Sequence, residues 1–314
     1  MTRSPWVSFC ISTYKRPQLL REQLLRLSQQ TFRDFEVVIS DNDPDASAKD
    51  IVKEMNDPRF RYFQNGENLG MIRSFNKSIE RAIGEYIVMV TDDDPIQIDF
   101  LETFYNLYKQ HPFFSLYCGF TRKKRKESEI EFISNEDILI EILDPAKTSN
   151  LLWSSAIIKK EDAIKTGLIP DYGSPHLADH ALIVQVGSLN GALIVNKMFS
   201  SLAFHESNFS KFNFEYYLNG CEGFHRCLTL FFKDDHRARN YEKIIRKHLG
   251  SWFIANIFTL KKYYTVKKYD NLMLKKINDC AFQILRFSFM RGYRSRYAVK
   301  NFIFKVKKTF KLLS

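Results

Sequence analysis

Four short apolar runs between Val7 and Thr91 are separated by stretches with helical spacing, and this alternation leaves few architectures open. VSFCIS, Val7 to Ser12, has the pattern of a strand, Pro17 to Gln29 that of a helix with Leu19, Leu20, Leu24 and Leu27 on one side, and Glu36 to Ser40 that of a second strand. A helical stretch over Ala46 to Met55, a short strand at Arg61 to Phe63 and a helix from Met71 to Ile83 follow. Then comes YIVMVT, which runs straight into Asp92, Asp93 and Asp94 before Pro95 stops it. Repeated β-α-β order implies an α/β fold with a mainly parallel sheet flanked by helices. Ligands on such sheets bind at the carboxyl ends of the strands. There the sequence places Ser12, Thr13 and Tyr14, then Asp41, Asn42 and Asp43, then the three aspartates, so a polar pocket built from three distant segments is expected. Adjacent carboxylates raise one another's pKa unless a cation or a donor-rich ligand compensates, so such a partner is expected too.

The rest of the chain is less regular. TRKKRKE, Thr121 to Glu127, is expected to be a solvated basic loop; SSAIIKK is strand-like, EDAIKTG helix-like, and Ala178 to Gly187 a helix entered by a polar loop. ALIV and MFSSLAF suggest a late hairpin before HESNFS, and the sequence beyond Phe212 is mostly helical. With 314 residues, 45% hydrophobic and 26% charged, the chain can hold one large domain, or a domain of about 200 residues with an appendage. Five scattered cysteines without a CxxC pair predict a reducing, cytoplasmic compartment. MTRSPWVSFCIS lacks the apolar region of a signal peptide, and no apolar run reaches the ~18 residues of a membrane span, so neither is expected.

STYKRP, ISDNDPDAS, NLGMIRSFNKSI and YIVMVTDDDP, in this order, resemble the nucleotide-sugar-binding half of inverting glycosyltransferases of family 2, which have the GT-A (Rossmann-like) fold. The T-D-D form of the acidic motif is similar to that of the spore-coat polysaccharide branch. The resemblance implies a glycosyltransferase domain over residues 1–211, with a nucleotide-binding half at 1–95 and an acceptor half at 96–211, followed by a helical, basic region at 212–314.

It also implies roles for particular residues. Thr13 and Tyr14 would line the base pocket, Asp41 would accept the imide N–H of a uracil-type base, and Arg16 and Asn68 would belong to the same donor site; a polar turn capping the next helix is the structural alternative for Asp41. Gly70 would allow a tight entry into a helix whose first amides face phosphate, with Arg73 reaching the diphosphate. Asp92 would bind the ribose and Asp93 a bridging Mn²⁺ or Mg²⁺, while Asp94 is either a further supporting group or a cap before Pro95. Asp179 would be the base that takes the acceptor hydroxyl's proton, with Asp171 as the competing acid and His180 as a neighbour or a structural histidine. His205 in HESNFS resembles the family's late histidine near the metal, although Ala203 stands where an arginine is usual.

The net charge of +11 is concentrated in the tail: Tyr241 to Ser314 holds 18 Lys and Arg against 3 acids, which is +15, and leaves −4 for residues 1–240. Basic residues interleaved with Phe and Ile there predict an interfacial helix on an anionic membrane, with a packed helical subdomain or an oligomer contact as alternatives. The expected partners are therefore a nucleotide-sugar donor, a glycan or lipid-linked oligosaccharide acceptor and the inner face of the cell membrane, where the protein would be peripheral. A sugar-nucleotide pyrophosphorylase would need a glycine-rich loop after the first strand, which STYKRP lacks. A nucleic-acid-binding protein is disfavoured because the positive charge is confined to the tail and no binding motif occurs.

Overall fold

The computed structural model describes residues 4–202, 213–268 and 270–309. The chain divides into two compact units, Met1–Asp171 with Ala178–Phe204, and Tyr172–Leu177 with His205–Ser314.

In the first unit the alternation seen in the sequence becomes β1 (Val7–Thr13), α1 (Pro17–Ser28), β2 (Phe35–Asp41), α2 (Lys49–Met55), β3 (Phe60–Gln64), α3 (Met71–Arg81) and β4 (Tyr86–Thr91). It continues through α4 (Phe100–Gln110), β5 (Leu116–Gly119), β6 (Thr121–Arg122), β7 (Ile130–Ile133), α5 (Ile138–Leu143), β8 (Thr148–Ser149), β9 (Ala156–Lys159), α6 (Lys160–Lys165), α7 (Ala178–Asn190) and β10 (Ala192–Val195). Among the described residues eight strands form one sheet in the order β3-β2-β1-β4-β9-β5-β10-β7, while β6 and β8 make a separate ribbon. β1 pairs in parallel with both β2 and β4, and β2 with β3. β9 runs antiparallel between β4 and β5. The inner strands are buried along their whole length, which is why they read as continuous apolar runs and not as alternating ones. From β1 the chain moves to β2 and β3 on one side and returns to β4 on the other, so the topological switch point lies between the carboxyl ends of β1 and β4.

Three expectations change. α2 starts at Lys49 because Ala46 adopts φ 55, a left-handed conformation that a helix cannot include. The late hairpin does not form among the described residues: β10 pairs with β5 and β7, and the segment after it meets the turn after β4 through an isolated Ile96–Ser200 bridge. The TRKKRKE run is not wholly solvated. Arg122 is buried, with Nε 2.7 Å from Glu131 Oε2 and Nη2 2.6 Å from Glu141 Oε2.

α7 is buried nearly all round from Ala181 to Gly187. Gly187 is small because a Cβ there would lie 2.6 Å from Ile138 and 2.8 Å from Leu116, so α7 is drawn close to α5 and β5.

The second unit is helical: α8 (Tyr217–Phe231), α9 (Ala238–Val266), α10 (Asn271–Arg286) and α11 (Arg294–Thr309). α9 packs against α8 and α10 around Phe224, Leu249, Phe253, Ile277 and Ile284, all buried. Asp270 caps α10 by accepting a hydrogen bond from the Met273 amide at 2.9 Å. No described helix is long and apolar enough to cross a membrane.

Candidate active site

The switch point holds the first cluster. Thr13 ends β1 and donates through Oγ1 to Asp92 Oδ2 at 2.9 Å, joining the two strands that flank the crevice. Arg16 follows on the same loop, with Nη2 2.6 Å from Asp92 Oδ1 and Nη1 3.4 Å from Asp93 Oδ2. The cation required by consecutive carboxylates is therefore supplied in part by the chain. Burial pushes the Asp92 carboxyl up to about 6; Arg16 opposes this, Asp93 adds to it, and the Thr13 hydroxyl opposes it.

The three acids then diverge. Asp94 is buried, its amide donates to Thr91 Oγ1 at 3.2 Å, and its carbonyl accepts from Gln23 Nε2 at 2.8 Å, so its backbone fixes the turn. Asp93 keeps a tenth of its side-chain surface accessible beside Asp92. Adjacent carboxylates with only oxygen donors suit a hard divalent cation that completes its shell with phosphate and water oxygens. Among the described residues no group of three or more His, Cys, Asp or Glu side chains is arranged to hold a metal. The residues present fit a substrate-bridging ion.

The second cluster lies at the end of β2. Asp41 is fully buried and its carboxylate is held by the chain: Oδ1 accepts from the Asp43 amide at 2.9 Å, and Oδ2 from the Ala48 amide at 3.2 Å and the Tyr62 hydroxyl at 2.9 Å. This is the capping-turn geometry. Asn42, expected in the polar pocket but without a role of its own, connects the strand end to the loop before α3. Its Nδ2 donates to Asn68 Oδ1 at 3.2 Å and to the Gly70 carbonyl at 3.1 Å, and its Oδ1 accepts from Asn65 Nδ2 at 3.0 Å. Asn68 is thereby placed against β2. Gly70 adopts φ 79 where the chain turns into α3, a conformation that costs a side-chain-bearing residue. Tyr14 is 41% exposed at the rim.

Arg73, in the first turn of α3, is largely exposed and its Nε lies 2.8 Å from Asp171 Oδ2. Three residues on, Asn76 exchanges hydrogen bonds with the Ile169 backbone at 2.9 and 3.0 Å, clasping the 169–171 loop to α3. The two acids proposed as bases therefore differ: Asp171 has a guanidinium partner, and Asp179 does not among the described residues.

Asp179 occupies the first turn of α7, with about a quarter of its side-chain surface accessible at 25%. Burial pushes its pKa up to about 7, against the opposing amides of His180 and of Asp179 itself. His180 Nε2 lies 3.8 Å from Asp179 Oδ2, and burial brings the imidazole down to about 4, which leaves it neutral near pH 7. A carboxylate poised near neutrality is suited to general-base work. His205 and Ala203 lie outside the described residues.

The family model described as "Glycosyl transferase family 2" matches residues 8–172. Among curated relatives, the chain is 28% identical over 102 residues to GalNAc(5)-diNAcBac-PP-undecaprenol beta-1,3-glucosyltransferase of Campylobacter jejuni, covering 32% of this chain and 33% of that protein. It is 37% identical over 100 residues to Abequosyltransferase RfbV of Salmonella typhimurium, covering 30% of each. The matched region spans about a third of the length of these relatives. S. aureus TarS 1–349 superposes with a TM-score of 0.59 at 16% identity, covering 93% of this chain and 82% of that one. Mannosyltransferase PcManGT of Pyrobaculum calidifontis, solved in complex with GDP-Man and Mn²⁺, superposes with a TM-score of 0.56 at 18% identity, covering 96% and 88%. At these identities the superpositions establish the shared fold.

Proposed function

Because the chain belongs to glycosyl transferase family 2, we propose that it transfers a sugar, with inversion, from a nucleotide-sugar donor to a glycan acceptor in bacterial surface polysaccharide synthesis. The observation that carries the reading is the Thr13–Asp92–Arg16–Asp93 cluster at the β1/β4 switch point. It places carboxylates and one cation where this sheet topology binds ligands.

In this reading the donor's base stacks on exposed Tyr14 beside Thr13, and Asp92 meets the ribose. Asp41 acts through the turn it holds, and reaches a uracil-type base only if that turn opens. Asn68, fixed by Asn42, shapes the entry to α3, whose first amides and Arg73 face the diphosphate. Arg73 must then leave Asp171 for the phosphate oxygens. Asp93 would hold a Mn²⁺ or Mg²⁺ ion, which when bound would supply charge stabilisation for the departing nucleoside diphosphate. Asp179 accepts the proton of the acceptor hydroxyl as that oxygen attacks the anomeric carbon on the face opposite the leaving group. The acceptor is a lipid-linked glycan, and the enzyme works as a peripheral protein on the cytoplasmic face of the membrane, a placement supported by the +15 charge of Tyr241 to Ser314.

The test is a screen of UDP-, GDP- and dTDP-sugars for Mn²⁺-dependent hydrolysis and for thermal stabilisation. Asp93→Asn should abolish turnover and remove the Mn²⁺ dependence of UDP binding while the melting temperature is retained. Full turnover in this variant at saturating Mn²⁺ would move the ligand to another carboxylate.

A further inference from the structure

α11 carries its apolar residues on the side away from its own subdomain. Its inner face is made by Tyr297, Asn301 and Phe304. The Lys261 ammonium, buried in α9, donates to the Tyr297 hydroxyl at 2.6 Å and to Asn301 Oδ1 at 2.9 Å, and Phe304 meets the Phe258 ring at 5.9 Å between centroids. None of the sixteen residues from Arg294 to Thr309 is fully buried, and these three are its least exposed positions. Val299, Phe302, Ile303 and Val306, at i, i+3, i+4 and i+7, are 61%, 69%, 48% and 37% exposed. At ~3.6 residues per turn this stripe lies opposite the Tyr297–Asn301–Phe304 face.

The charges follow the same geometry. All six charged side chains of the helix are basic: Arg294, Arg296, Lys300, Lys305, Lys307 and Lys308. Arg296 and Lys307 lie along one flank of the outer stripe and Lys305 along the other, while three cations turn back to the subdomain: Lys300 lies over the Phe258 ring at 5.0 Å, Arg294 donates to the Leu285 and Arg286 carbonyls at 2.7 and 3.2 Å, and Lys308 reaches Asn271 Oδ1 at 3.2 Å. The arrangement calls for a partner that is apolar in the middle, anionic on both sides and flat along the ~24 Å of the helix. A second copy would bring two all-basic helices together against their own repulsion. A nucleic acid would satisfy the charges and leave Phe302 and Ile303 in water.

We infer that α11 lies in the plane of an anionic lipid bilayer, with Val299, Phe302, Ile303 and Val306 at the boundary between headgroups and acyl chains and the flanking cations among the headgroups. The Lys261 clasp holds the helix to its subdomain from the other side. The apolar stripe is the docking face, and the Tyr297–Asn301–Phe304 side is the face that packs on the protein. The inference identifies the membrane contact of the proposed enzyme and rests on that reading for its purpose, but lipid binding is measured without catalysis.

The experiment is cosedimentation of the full chain with vesicles of phosphatidylglycerol and phosphatidylcholine, against phosphatidylcholine alone. The wild type should bind the anionic vesicles and not the neutral ones. Changing Arg296, Lys305 and Lys307 to Gln should weaken binding about a hundredfold, and raised salt should release the wild type. The double change Phe302→Ser and Ile303→Ser keeps every charge and should still weaken binding at least about tenfold, because two large apolar side chains are lost from the interface. These positions are exposed, so melting temperatures should match the wild type. No binding to anionic vesicles overturns the inference, as does unchanged binding by the Phe302/Ile303 variant. So does a concentration-dependent dimer that the same variant abolishes, which would make the stripe a contact between copies. Sugar transfer to a short soluble acceptor, followed in parallel, separates the two claims: its absence in wild type counts against the enzymatic reading and leaves the lipid result standing.

Discussion

Arg16 is the residue on which the acidic cluster depends. Its guanidinium lies 2.6 Å from Asp92 and is the largest influence keeping that buried carboxyl from rising above about 6. Arg16→Met should therefore push Asp92 further up and leave much of it protonated at pH 7, weakening nucleotide binding by about tenfold or more. Titrating the variant's donor affinity against pH should show recovery at higher pH, where Asp92 ionises again; a pH-independent loss would mean that Arg16 contacts the donor directly and does not act through Asp92. Asp179 makes a second prediction, in the wild type. With its pKa raised from 3.8 to about 7, turnover should fall on the acid side with an apparent pKa near that value. The stability effect has the opposite sense from a salt-bridged carboxylate. Between those two pH values the folded state keeps a proton that the unfolded state has released, so folding becomes less favourable as pH rises through the interval. Asp179→Asn should remove that cost and stabilise the protein by ~1–2 kcal/mol above pH 7, with little gain near pH 4, partial exposure having screened the full penalty. At this scale the sequence disclosed the acids but not their partners. Asp92 and Asp93 are legible because carboxylates rarely close an apolar strand for structural reasons. The occupation of Asp41 by two amides and Tyr62, and the bridging position of Asn42, depend on backbone turns that no local pattern specifies.

Elements of the first unit were legible wherever a run was apolar and continuous, as with β1, β2 and β4, because burial on both faces leaves no other composition possible. They were hidden where pairing is long-range. β10 finds β5 and β7, some 60 to 75 residues earlier in sequence, in place of the next apolar segment. Arg122 was hidden for the same reason: a basic residue in a basic run looks solvated until Glu131 and Glu141 arrive from β7 and α5. Its removal gives a prediction for the ribbon and the outer sheet. Arg122→Met leaves two partly buried carboxylates without their shared cation and should cost ~2–4 kcal/mol, as is usual when one member of a buried ionic network is removed. Chemical denaturation measures this. A change below about 0.5 kcal/mol, typical of surface substitutions, would mean that Arg125 and Lys147 suffice to hold those acids.

For the molecule as a whole, composition located the charge and the strand order located the chemistry, but neither could say which face of a helix meets solvent. Basic residues interleaved with Phe and Ile left open whether the apolar side of the tail faces lipid, protein or a second copy; the Lys261 clasp turns α11 so that its apolar stripe points away from its own subdomain. The donor-side cluster and Asp179 belong to the first unit, where one pays its cost in stability for being ready to take a proton near neutral pH. In the proposed reaction these residues divide donor binding from proton abstraction. The most direct measurement is therefore made on Asp179→Asn, comparing UDP affinity in Mn²⁺ with the rate of sugar transfer at saturating donor. The affinity should stay within about twofold of wild type and the transfer rate should fall by about a thousandfold or more, since the group acts on the acceptor hydroxyl in the chemical step. A parallel loss of UDP affinity, or transfer at a near-normal rate, would contradict that division and direct attention to Asp171, freed from Arg73 when the donor binds.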